Sequence, residues 1–120
     1  MNKLIREMAE IAHDDARQIT EDQICKWAGS QSIHDFLNSV AIEIAKRYHT
    51  GSLDYSTCDI IVSDLFHFAV HQPEIQLLFY EVFLAFDRGA YQMKTDLTDD
   101  PISEFTKPWI AEILLSQRID

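Results

Sequence analysis

Ile75-Gln76-Leu77-Leu78-Phe79-Tyr80-Glu81-Val82-Phe83-Leu84-Ala85-Phe86 is the stretch on which the fold turns. Ten of its twelve residues are apolar or aromatic, too many for a helix with one wet face. It falls short of the roughly 20 residues that cross a bilayer, and Gln76 and Glu81 interrupt it. The run therefore predicts a central helix from about Pro73 to Asp87, contacted from several sides. Pro73 suits its first turn, and Gly89 is expected to stop it. Gly89 to Asp99 has poor periodicity and several turn formers, which predicts a long loop.

The flanking sequence supplies helices to surround that centre. Leu4, Ile5, Met8, Ile11 and Ala12 recur at helical spacing, opposed by Arg6, Glu7 and Glu10. A polar patch from Asp14 to Gln18 separates them from a short helix, about Glu21 to Ala28, with Thr20 and Gly29 at its boundaries and Ile24, Cys25 and Trp27 facing inward. Ser32 and Asp35 resemble a capping box ahead of Ile33, Phe36, Leu37, Val40, Ala41, Ile44, Ala45 and Tyr48. Lys46, Arg47 and Gly51 suit the end of that helix. A further helix is expected from about Ser56 to His71, with Ile61, Val62, Leu65, Phe68 and Ala69 inside. Asp100-Pro101 restarts helix, Pro108 breaks or kinks it, and Trp109, Ile110, Ile113 and Leu114 form the last inward stripe. The expected architecture is all-α: one domain over residues 1–120, a bundle of five to six helices around the segment at 73–87. Three glycines and three prolines leave little room for a turn-rich β-sandwich.

Charge limits the function classes. The chain has 20 acidic and 10 basic side chains, a net charge of −10. Between Asp54 and Glu104 ten acids are opposed only by Arg88 and Lys94. Such a balance lacks the basic stripe that nucleic-acid binding needs and favours capture of a basic partner. Early acids at Glu7, Glu10, Asp14 and Asp15 do not fit a secretory leader, and no apolar run is long enough for a membrane span, so a cytoplasmic location is expected. Cys25 and Cys58 lack metal-ligand spacing and read as reduced, buried, small apolar residues.

No constellation specifies a reaction, so an enzyme is not expected. Asp64, His67 and His71 fall within about 60° on an ideal helix and offer a conceivable three-ligand metal set for a small hydrolase. However, Phe68 stands where the zinc-protease pattern needs a glutamate, and a solvated helix face explains the three residues more simply. Cys58 has Asp54 and Asp59 beside it, which oppose a thiolate. The three glycines are isolated and cradle no phosphate. No metal or other cofactor is expected. The remaining candidate is an acidic, aromatic surface of Asp54, Tyr55, Asp87, Tyr91, Asp96, Asp99 and Asp100, gathered at one end of the bundle. Aromatic anchors give an interface its energy, and complementary charge steers encounter.

Tyr55-Ser56-Thr57-Cys58-Asp59 and the run from Leu78 to Tyr91, in a small acidic helical chain, resemble the immunity proteins of bacterial contact-dependent growth inhibition systems. That resemblance implies stoichiometric binding of a cognate toxin domain, often a basic nuclease, without catalysis. The seven acidic and tyrosine positions are then the expected toxin contacts. A regulatory or adaptor module, monomeric or weakly dimeric, is the competing expectation.

Overall fold

The computed structural model describes residues 2–14, 17–72, 77–95 and 102–118. They form six α-helices and one π-helical turn, in the order α1 Asn2–Ala12, α2 Glu21–Ala28, α3 Ile33–Thr50, α4 Tyr55–Ala69, α5 Leu77–Thr95, the π turn Ile102–Thr106 and α6 Lys107–Arg118. No strand occurs among the described residues, and the architecture is the all-α bundle that the periodicity predicts.

Most helix boundaries follow local chemistry. The Thr20 side chain accepts from the Gln23 backbone N–H while the Gln23 side chain accepts from that of Thr20, a complete capping box. Ser32 accepts from the Asp35 N–H, and Asp54 caps α4 by accepting from the Thr57 N–H at 2.8 Å. Gly51 ends α3 in the left-handed conformation, φ 84°, and its N–H reaches the carbonyls of Arg47 and Tyr48.

The predicted stripes build one continuous core. It contains Ile5, Met8 and Ile11 of α1, Val40, Ala41 and Ile44 of α3, Ile61, Val62 and Leu65 of α4, Phe79, Val82, Ala85 and Phe86 of α5, and Ile110 and Ile113 of α6. Helix α5 packs against α3, α4, the π turn and α6, which gives it the central place its composition predicts. Asn38 on α3 accepts from the Phe79 N–H at 3.3 Å, satisfying a donor in the first turn of α5. Thr106 is fully buried, and its hydroxyl donates to the Ala85 carbonyl at 2.7 Å, pinning the π turn to α5.

Three expectations need correction. Gly89 does not stop α5, which runs on to Thr95. One glycine costs a helix about 1 kcal/mol, and Ala90, Gln92, Met93 and Lys94 are strong helix formers that offset it. Cys25 is exposed rather than buried, because Ile24 and Ala28 are the residues that α2 turns inward. Helix α5 is also not enclosed all round: Leu77 is 69% and Tyr80 38% exposed. Pro108, in contrast, acts as a break in regular winding. The i→i+5 turn precedes it, and α-helical winding begins only at Lys107, which keeps the ring within a first turn.

Candidate partner-binding surface

Asp54 is exposed, and one of its oxygens is committed to the Thr57 N–H. Hydrogen bonds from the Thr57 side chain and backbone hold its carboxyl below the ordinary value of 3.8, and it stays anionic at neutral pH. Tyr55 is half-buried. Its hydroxyl donates to the Phe86 carbonyl, and its ring lies against Tyr48 at 6.4 Å and Phe86 at 5.9 Å between centroids. That bond places the start of α4 beside the Phe86-Asp87 step of α5. Asp54 and Tyr55 therefore stand beside the middle of α5, whereas the exposed Asp87 borders a cleft with Leu84, Arg88 and Trp109. Tyr91 stands on the helical backbone of α5, while Asp96, Asp99 and Asp100 lie outside the described residues.

Asp64, His67 and His71 border a cleft of about 430 Å³ with Gln18, Ile19 and Thr20. Asp64 is half-buried and accepts from the Ile19 N–H at 3.3 Å, which fastens the segment before α2 to α4. Burial pushes its carboxyl above the ordinary value, against the lowering by the Ile19 bond and by His67. Among the described residues no three His, Cys, Asp or Glu side chains converge to hold a metal ion. The Cys58 thiol is fully buried, and burial, then Asp54 and Asp59, push it up to about 12. It is a packing residue, inert as a nucleophile at neutral pH.

The sequence reading missed an aromatic group on the α4/α5 seam. Phe66 stacks on Phe83 at 3.9 Å with planes 5° apart, and Tyr80 lies beside them at 6.0 and 6.5 Å, its plane within 18° of both. The i, i+3 spacing of Tyr80 and Phe83 was visible in the sequence. Reading α5 as buried on every face hid its outward edge. A separate groove of about 700 Å³ between α3 and α6 is lined by Ile42, Leu114 and Leu115, with Lys46 and His49 on its wall, and no carboxylate lines it among the described residues.

Searches against protein-family models, curated proteins and solved structures find no match to this chain. No described helix is long and apolar enough to cross a membrane.

Proposed function

We propose that the protein is a non-catalytic binding protein: an immunity protein that neutralises a cognate, basic toxin domain of the nuclease type in the cytoplasm. The observation that carries this reading is the chain's net charge of −10, with one long stretch of sequence free of cations. From Tyr48 to Asp87 the chain has no Lys or Arg, while Asp54, Asp59, Asp64, Glu74, Glu81 and Asp87 are all acidic. A compact domain is destabilised by such self-repulsion, and the return is fast, salt-sensitive capture of a partner of opposite sign. A carboxylate-bearing surface presents to a nuclease the charge its substrate phosphates would bring, and so competes for the same groove.

The metal-hydrolase alternative loses support from the geometry of Asp64, whose carboxylate is turned to the Ile19 N–H. The test is co-expression with the reading frame immediately upstream, followed by pull-down at low and high salt and a growth assay. A tight complex that weakens with salt and restores growth supports the reading. No complex and no rescue sinks it.

A further inference from the structure

We propose that the groove between α3 and α6 is a ligand site for a small amphipathic anion, a medium-chain fatty acid in its carboxylate form. This is a second binding role, separate from the toxin contact proposed above, and it does not rest on that reading.

Two helix faces build the groove. At about 100° per residue, Ile42, Lys46 and His49 fall within roughly 60° of α3, and Ala111, Leu114 and Leu115 within roughly 100° of α6. The two helices pack against each other, and these residues line the space of about 700 Å³ that they leave. Small-molecule clefts usually measure about 300–1,000 Å³ and pair an apolar lining with a few polar groups, as this one does. Ile42 and Leu114 are half-buried, whereas Leu115 is 59% exposed. An alkyl chain laid along these three side chains takes Leu115 out of water.

Charge selects the head group. Lys46 and His49 are exposed on the α3 wall, and no carboxylate lines the groove among the described residues. Glu43, the acid nearest to them along α3, is held by Arg47 at 3.0 Å. On α6 the exposed Glu112 stands outside the lining. The negative end of α3 is also muted, because the Gly51 N–H reaches the Arg47 and Tyr48 carbonyls and the Thr50 hydroxyl donates to that of Arg47. An incoming carboxylate therefore meets two donors at i and i+3 beside an apolar wall. In a chain of net charge −10, long-range repulsion grows with the charge of the ligand, so an acidic protein or an anionic membrane is rejected. A single carboxylate within about 8 Å of Lys46 answers mainly to that ammonium, since salt screens the more distant acids.

The test follows backbone amide shifts of isotope-labelled full-length protein by NMR during titration with hexanoate, octanoate and decanoate, and in parallel with decylammonium. The carboxylates are expected to shift Ile42, Lys46, His49, Leu114 and Leu115 and to saturate at one per chain. Binding should tighten about twofold per added methylene in this half-open groove. Decylammonium should leave these positions unmoved. Lys46→Glu is expected to weaken decanoate about tenfold and Leu115→Ser about fivefold, both at exposed positions where substitution leaves the core intact. Decanoate that fails to saturate, shifts centred elsewhere, affinity independent of chain length, decylammonium bound equally in the groove, or unchanged affinity in Lys46→Glu would each overturn the proposal. Co-sedimentation with phosphatidylglycerol vesicles separates the two sources of such an anion. Protein left in the supernatant agrees with a free ligand, and protein pelleted with the vesicles overturns it.

Discussion

The Tyr55 hydroxyl donates to the main-chain carbonyl of Phe86, 31 residues further along the chain, and so ties the first residue of α4 to the middle of α5. One side-chain bond thereby fixes the capped start of one helix against the main chain of the other. Tyr55→Phe keeps the ring contacts with Tyr48 and Phe86 and removes only the donor. It should lower unfolding free energy by about 1 kcal/mol, read in urea denaturation. An unchanged midpoint would mean that the bond contributes nothing.

Asp54→Ala removes the side-chain acceptor for the Thr57 N–H, and loss of such a cap costs about 1 kcal/mol. Asp54→Asn, which keeps an acceptor, should lose little. The folded Asp54 carboxyl lies below its ordinary 3.8, so its stabilisation is present above that value and is lost as pH falls through the folded pKa. The stability gap between wild type and Asp54→Ala should accordingly narrow in acid. A gap that widens there contradicts this assignment.

Asp64 carries the opposite sign. Its folded pKa is raised by burial, so its contribution is complete below the ordinary 3.8 and is lost as pH rises through the folded value. Asp64→Asn retains an acceptor for the Ile19 N–H without a half-buried charge. Thermal melts at pH 7 should show the variant more stable than wild type, and the difference should disappear below pH 3.8. A less stable variant at pH 7 would show that the Ile19 bond and His67 outweigh the cost of burying the carboxylate.

Native-state alkylation should separate the two thiols. Cys25 is exposed, whereas Cys58 is buried and pushed up to about 12. A maleimide reagent at pH 7.5 is expected to label Cys25 alone, and to reach Cys58 only after denaturant unfolds the chain. Mass spectrometry of tryptic peptides reads the result. Labelling of native Cys58 at the rate of Cys25 would show that α4 opens without global unfolding.

The sequence by itself determined the elements that depend on local chemistry. Thr20, Ser32 and Gly51 mark helix ends because caps and left-handed glycine act within a few residues. The inner stripes of α1, α3 and α4 were legible because period 3.6 puts their apolar residues on one face. The charge excess is also a property of the chain alone.

Only the tertiary structure decided how much of each apolar face is covered. Tyr80 and Phe79 are adjacent and similarly apolar, yet Phe79 is fully buried between helices while Tyr80 stands on the open edge of the seam. Likewise, Asp64 has its long-range acceptor role because the segment before α2 crosses α4, a contact 45 residues apart that no local pattern encodes. Helical periodicity states which side of a helix prefers to leave water, but coverage depends on which neighbour arrives and at what height. That is settled by packing between distant segments, and it is what turns a run of aromatic residues into both a core and a surface.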